Sequence, residues 1–332
     1  AIYWLNEFHA DGLRVDGVSS MLYLNFGVDD EKKKKYNKHG EEGNLEAIEF
    51  FKNLSEVVAT YSKGCFTVAE ESTAWPLVTY PPKDGGLGFH YKWNMGWMND
   101  TLSYFSCDFP YRNGSHDKLT FPMMYAFSEN YILPFSHDEV VHGKCSLLSK
   151  QPGDQWRKFA GKRVMALYQM TQPGGKLNFM GNEIAEFIEW RFYESLEWFL
   201  LDYPAHKEHQ EFIKKLNHIY LNEKTLWDND RSTYGFEWID ADNAEQSVIV
   251  YERHSKSGRG LISCILNFGW NGYKKYRVGV TKPGLYKCLI STDGQDGITV
   301  QSEKIPCHGR EYSIEIKLPQ SGGIILKRIG KC

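Results

Sequence analysis

Four short apolar runs in this chain end in polar or acidic residues: Gly12–Asp16 (GLRVD), Phe66–Glu70 (FTVAE), Ile132–Asp138 (ILPFSHD) and Leu177–Glu183 (LNFMGNE). Carboxylates gathered in one pocket suit the making and breaking of glycosidic bonds. A retaining mechanism needs an ionised carboxylate as nucleophile and a protonated acid beside the leaving oxygen, about 5–5.5 Å apart. Arg14 stands two residues before Asp16 and so shares its strand face. Its permanent charge would keep Asp16 ionised and oriented. Glu70 is followed by Glu71, and like charge nearby favours holding one of the two protonated, although strand neighbours point to opposite faces. Any one of these acids could simply cap the helix that follows. That reading weakens when the feature recurs at every strand end.

Other chemistries find little support. In His137-Asp138-Glu139-Val140-Val141-His142 the histidines are five apart, roughly 140° out of register on a helix. A zincin-like pair needs them four apart, so His137 and Asp138 read as hydrogen-bonding groups for sugar hydroxyls, and no metal is expected. The chain lacks a G-x-x-x-x-G-K-[ST] loop, a G-x-G-x-x-G turn and a G-x-S-x-G elbow, so no nucleotide cofactor and no serine nucleophile are expected.

The elements that must position these groups follow from periodicity. Up to about residue 227, short apolar runs alternate with stretches of helical period, as in β/α units. Asn44 caps an expected helix bearing Leu45, Ile48, Phe51, Leu54, Val57, Val58 and Tyr61, with Gly64 at its stop. Gly153-Asp154 opens a second, with Trp156, Phe159, Val164, Leu167 and Tyr168, and Pro173-Gly174-Gly175 ends it; a third carries Phe212, Leu216, Ile219 and Tyr220. After Asp228-Asn229-Asp230 the period falls to two. Tyr234–Ile239, Ser247–Arg253, Leu261–Phe268, Tyr276–Val280, Tyr286–Ser291, Tyr312–Leu318 and Gly323–Ile329 read as strands of an antiparallel sandwich. The expected fold is thus α/β in 1–227, with acids at the C-terminal ends of parallel strands as in a barrel. An all-β domain in 228–332 follows it.

Bulk properties agree. The chain has 332 residues, 42% hydrophobic and 24% charged, as in ordinary globular proteins. A formal charge of −3 gives no reason to expect nucleic acid or an anionic membrane as partner. The lysine run 32–35 follows Asp29-Asp30-Glu31 and reads as a solvated segment. Aromatics reach 15%, an excess beyond core needs that favours a sugar-handling surface. Seven cysteines (65, 107, 145, 264, 288, 307 and 332) without C-x-x-C spacing point to free thiols in a reducing cytoplasm. No run approaches the roughly 20 apolar residues of a membrane span. The sequence opens on Ala1 directly into a helical pattern, as though it starts mid-fold.

Asp11–Val18 (DGLRVDGV) resembles the strand-four motif of the alpha-amylase superfamily, Val68–Ser72 (VAEES) the strand-five motif and Ser136–Glu139 (SHDE) the strand-seven motif. Within that superfamily, Gly85–Phe89 with Lys92–Met98 (KWNMGWM), His137–Gly143 (HDEVVHG) and Phe179–Glu183 (FMGNE) resemble branching enzymes. The resemblance covers nearly the whole chain. It implies strands four to eight of a (β/α)8 TIM barrel followed by an antiparallel sandwich. It also implies Asp16 as nucleophile, Glu70 as acid then base, Asp138 as the third carboxylate, and Arg14 and His137 as donor-side substrate contacts. The implied reaction cuts an alpha-1,4 glucan and transfers the piece to a 6-hydroxyl, forming alpha-1,6 branches in glycogen. No cofactor is implied. The substrates would be glycogen and amylose, and a monomer is expected for the full-length enzyme.

Three departures bear on this reading. The family's N-terminal carbohydrate-binding domain and first three barrel strands have no counterpart here. A fragment with exposed strand edges is expected to be poorly stable and inactive alone. Gly40–Leu45 (GEEGNL) replaces a Gly-Gly-Arg-Glu-Asn-Leu-like run, which touches acceptor-side contacts. Ile184 and Glu186 replace the usual Phe and Gln after Gly-Asn-Glu. Two rival functions share the acids: an amylase-type hydrolase or debranching enzyme, and a non-catalytic glucan-binding fragment.

Overall fold

The computed structural model describes residues 1–330. The chain condenses into two compact units, one of Ala1–Gly96 with Tyr125–Pro134, the other of Trp97–Met124 with the residues from Phe135 onward.

The first unit holds α1 (Ile2–Asn6), β1 (Gly12–Val15), α2 (Val18–Leu22), α3 (Leu45–Tyr61), β2 (Phe66–Ala69), β3 (Tyr91–Trp93) and all but the last residue of β4 (Tyr131–Phe135). The strands β1 to β4 pair side by side in chain order, all parallel, with Arg14 opposite Val68 and Lys92 opposite Tyr131. The side chain of Asn44 caps α3, accepting the Ala47 N–H at 3.2 Å. The α3 stripe is narrower than the sequence predicts. Ala47, Phe51 and Val58 are buried, whereas Val57 and Tyr61 face solvent. Phe51 packs with Val18, Leu22, Ala69, Val78, Leu87 and Phe89, and burying such a ring contributes roughly 2–3 kcal/mol. The lysine run is solvated as expected, with Lys34 paired to Glu31 at 2.6 Å.

The second unit contains α4 (Met95–Ser106, from Trp97 on), α5 (Asp117–Thr120), α6 (Gln155–Thr171), β5 (Gly175–Asn178) and α7 (Pro204–Asn222). Asp154 caps α6 as predicted, accepting the Arg157 N–H at 2.9 Å. The strands β6 (Phe236–Asp240), β7 (Val248–His254), β8 (Leu261–Asn267), β9 (Tyr273–Val280), β10 (Leu285–Ser291), β11 (Thr299–Gln301), β12 (Tyr312–Leu318) and β13 (Gly322–Gly330) follow. They form a six-stranded antiparallel sheet, ordered β11-β10-β13-β8-β7-β6, and an antiparallel β12-β9 pair. Val250, Ile265, Ile324 and Leu326 bury their side chains with Val278, Ile314 and Ile316 in one core. The helix α6 packs on β8 and β13. Gly323 allows that approach, because a Cβ there would lie 2.6 Å from Leu266 and 3.1 Å from Leu167.

The parallel α/β part followed by an all-β part is the expected fold class, and the seven expected strands of the all-β region all form. The strand β11, at three residues, is too short to show a period. Among the described residues Cys65, Cys107, Cys145, Cys264, Cys288 and Cys307 carry free thiols, and Cys332 lies outside them. No helix among the described residues is long and apolar enough to cross a membrane.

Candidate active site

In the first unit, β1 ends at Val15 and the chain turns through Asp16 and Gly17, with Gly17 at φ +57°. This left-handed backbone costs glycine little. It presents the Gly17 N–H to Glu70 Oε2 at 2.7 Å. Glu70 follows the last residue of the neighbouring β2. Its own N–H donates to Val15 O at 2.9 Å, and its carbonyl accepts the Val18 N–H at 3.0 Å. The chain on either side of Asp16 is therefore fixed to Glu70, through Val15, Gly17 and Val18.

One guanidinium serves both acids. Arg14 Nη1 lies 3.0 Å from Asp16 Oδ1, and Nη2 lies 4.0 Å from Glu70 Oε2. The alternation expected along β1 places Arg14 and Asp16 together. Beneath them the indole of Trp93, at the end of β3, lies 4.3 Å from the Arg14 guanidinium carbon and fixes its plane. The Asp16 side chain is 82% exposed and that of Glu70 17%. So open a pair as Arg14–Asp16 adds about 0–1 kcal/mol of stability; what it does is aim a carboxylate outward.

Glu71 points the other way. Its side chain is 0% exposed and that of Lys92 5%, with Lys92 Nζ at 2.5 Å. Ser19 Oγ and the Thr73 N–H donate to Glu71 Oε1 at 2.8 and 2.9 Å, and the Thr73 hydroxyl donates there too. With its charge met by Lys92, Glu71 is not the like-charge neighbour of Glu70 that the sequence suggested.

In the second unit the extended run stops short of the expected Asp138, with the strand ending at Phe135 and Ser136 opening a turn. Its Oγ accepts the Asp138 N–H at 3.2 Å, while Glu139 Oε2 accepts the Ser136 N–H at 2.6 Å. This capping box starts a 3-10 turn over His137–Val140. His137 Nε2 lies 3.3 Å from Asp138 Oδ1, and its ring sits 5.9 Å from Phe179 and 6.1 Å from Trp190. The following loop passes through left-handed His142, Gly143 and Cys145. Glu189 clamps it, accepting the N–H groups of Gly143 at 2.9 Å and Cys145 at 2.5 Å. These bonds hold the Glu189 carboxyl below its ordinary value.

Of the residues flagged as departures, Ile184 is fully buried and Glu186 Oε1 accepts the Glu197 N–H at 2.9 Å. Asn37 organises the 37–43 turn, accepting the His39 and Glu41 N–H groups at 2.8 and 3.1 Å. Sequence reasoning missed Trp93, Lys92 and Glu189. The capping box was legible as Ser136-x-x-Glu139, whereas nothing in the sequence marks the partners of Lys92 or Glu189.

Two acids on adjacent parallel strands, one exposed and one half-enclosed under a shared guanidinium, can supply a nucleophile and a proton donor. Among the described residues, the group of acids and imidazoles close enough to share an ion lies elsewhere, at Glu237, Glu252 and His254.

Comparison with known proteins points one way. Residues 238–329 match the family described as alpha amylase, C-terminal all-beta domain. The 1,4-alpha-glucan branching enzyme GlgB of Desulfitobacterium hafniense (strain Y51) is 50% identical over 338 residues, covering 98% of this chain and 53% of that protein. The proteins of the same name from Halothermothrix orenii and Aquifex aeolicus are 49% and 48% identical, covering 100% and 99% of this chain and 54% and 53% of theirs. The chain thus spans about half the length of the curated relatives it matches. Among solved structures, the alpha-amylase of Geobacillus thermoleovorans in complex with acarbose superimposes with a TM-score of 0.64 at 14% identity, over 100% of this chain and 62% of that one. A Nostoc punctiforme debranching enzyme gives 0.62 at 17% identity, over 98% and 58%. At such identities these two speak for the fold alone.

Proposed function

We propose that this chain, which matches about half the length of 1,4-alpha-glucan branching enzymes at 48–50% identity, belongs with them and carries the acids of a transfer that turns alpha-1,4 linkages into alpha-1,6 branches. The observation that carries this reading is the single Arg14 guanidinium set 3.0 Å from Asp16 Oδ1 and 4.0 Å from Glu70 Oε2.

In the first half of the reaction Asp16 attacks the anomeric carbon, forming a glucosyl ester while the alpha-1,4 bond breaks. Glu70 gives its proton to the departing 4-oxygen. Its Oε2 is engaged by the Gly17 N–H, so Oε1 is the atom that hands over the proton. In the second half Glu70 takes the proton of an acceptor 6-hydroxyl, which displaces Asp16 and leaves an alpha-1,6 bond with retained configuration. Arg14, 3.0 Å from Asp16 Oδ1, aims that carboxylate for the attack. Asp138 is assigned the third carboxylate role, gripping sugar hydroxyls as positive charge grows on the ring, with His137 beside it as a substrate contact. Residues 1–227 form the catalytic part and 228–332 the all-β domain. The substrates are glycogen and amylose, the working form is a monomer, and the compartment is the cytoplasm.

The test joins this chain to the N-terminal half of the Desulfitobacterium hafniense relative, with Glu70→Gln as control. Iodine staining of amylose and new reducing ends are followed together. Falling colour without new reducing ends, abolished in the variant, is expected for transfer between chains. Reducing ends that rise in step with the colour loss would identify a hydrolase and end the branching proposal.

A further inference from the structure

The strands β6 and β7 bring two glutamates face to face, with Glu237 directly opposite Glu252 in the antiparallel register. Like charges in that position repel. The conflict is sharper because the Glu252 side chain is 0% exposed, and a buried charge is tolerated only when compensated. Glu252 is also held in place. Ser263 Oγ and the Thr281 N–H donate to its Oε1 at 2.9 and 3.4 Å, and the Thr281 hydroxyl donates to Oε2. Across from it, Arg310 Nη2 pairs with Glu237 Oε1 at 2.7 Å, leaving Oε2 to the His254 side. Nothing in the catalytic reading explains why a sheet should keep two carboxylates opposed in this way.

His254 completes the cluster. It lies two residues beyond Glu252 on β7 and so faces the same side. Its Nε2 stands 3.3 Å from Glu237 Oε2 and 3.9 Å from Glu252 Oε2. That nitrogen is buried yet has hydrogen-bond geometry to neither oxygen. Lys282 is the nearby cation on this side of the ring. Arg253, between the two β7 residues, points to the other face and pairs with Asp230.

One donor atom from each of the three residues lies within 4.8 Å of the other two. Tetrahedral ligands at about 2.0–2.2 Å from an ion stand roughly 3.3–3.6 Å apart, so small side-chain shifts suffice. We propose that Glu237, Glu252 and His254 form a site for a divalent transition metal of the Zn2+ class, tying β6 to β7. Two carboxylates and one imidazole suit Zn2+, while Mg2+ and Ca2+ favour all-oxygen shells with more ligands. Ser263, Thr281 and Arg310 orient the carboxylates from behind. The three protein ligands leave a fourth position for water, and Glu237, the most exposed of the three, is the side of entry.

The experiment strips the chain with a chelator and titrates it with Zn2+ by calorimetry and with Co2+ by its visible ligand-field absorption. One ion per chain is expected, together with a Zn2+-dependent rise in melting temperature. Glu237→Gln and His254→Gln should each weaken binding at least 100-fold and remove that rise, while Cys145→Ser, at an exposed thiol, should change neither. If His254→Gln does not fold, Glu237→Gln at the more exposed position decides the matter alone. No binding, binding that survives Glu237→Gln, or binding lost in Cys145→Ser would each overturn the site. Displacement of Zn2+ by an equal concentration of Mg2+ would overturn the metal class.

Discussion

Replacing Lys92 by methionine tests whether the segment bearing Glu70 depends on a charge pair that the sequence does not reveal. Methionine keeps most of the lysine stem, so the change removes little packing. It does remove the ammonium 2.5 Å from Glu71 and 3.0 Å from the Thr73 carbonyl. With side chains 5% and 0% exposed, water cannot replace it without opening the fold. Breaking one side of a buried pair costs about 3–5 kcal/mol. The Ser19 hydroxyl and the two Thr73 donors still serve Glu71, which puts the expected loss near the lower end, about 3 kcal/mol. Removing both charges, in Lys92→Met with Glu71→Gln, should recover most of it and leave a deficit of about 1 kcal/mol. The coupling between the sites is then about 2 kcal/mol or more, well above the few tenths seen for independent positions. Urea unfolding followed by tryptophan fluorescence measures all four corners of the cycle. A single variant that loses under about 1 kcal/mol, or a double variant whose loss is the sum of the singles, would refute the argument that this pair anchors the turn after β2.

Two further outcomes follow from buried and exposed charges. Lys162 is 3% exposed, and burial lowers its pKa to about 7 from 10.5. The unfolded chain then binds more protons than the folded one between these values, so stability should rise as pH climbs through that window, with the full cost present below about 7. Lys162→Met should therefore gain a few kcal/mol near neutral pH and lose the slope; denaturation curves showing the same gain at about pH 6 and about pH 10 would contradict this. Glu189 is the reverse case, with a carboxyl held low by the Gly143 and Cys145 amides. Its contribution is present above the ordinary carboxylate pKa and lost as pH falls through the lowered one. Glu189→Gln should raise hydrogen exchange at those two amides severalfold, and unchanged protection would show that the loop holds itself.

By itself the sequence determined whatever depends on neighbours along the chain. The caps Asn44 and Asp154 announce α3 and α6, because the orphan amides they satisfy lie within three residues. The period of two announces the all-β strands. Arg14 and Asp16 share a face because strand side chains alternate. The capping box at Ser136 was equally local and could have stopped β4 before His137. Three-residue strands such as β3 and β11 lie below the length at which a period exists. Tertiary structure decided the rest. Which residue would cover the Arg14 guanidinium, neutralise Glu71 or hold the 142–145 loop depends on segments 79, 21 and about 45 residues away in the chain. Only folding brings such segments within hydrogen-bonding or stacking distance, and no spacing along the chain encodes them. The opposition of Glu237 and Glu252 is of the same kind. Each is an ordinary exposed-type residue on its own strand, and only the register of β6 against β7 makes them a pair.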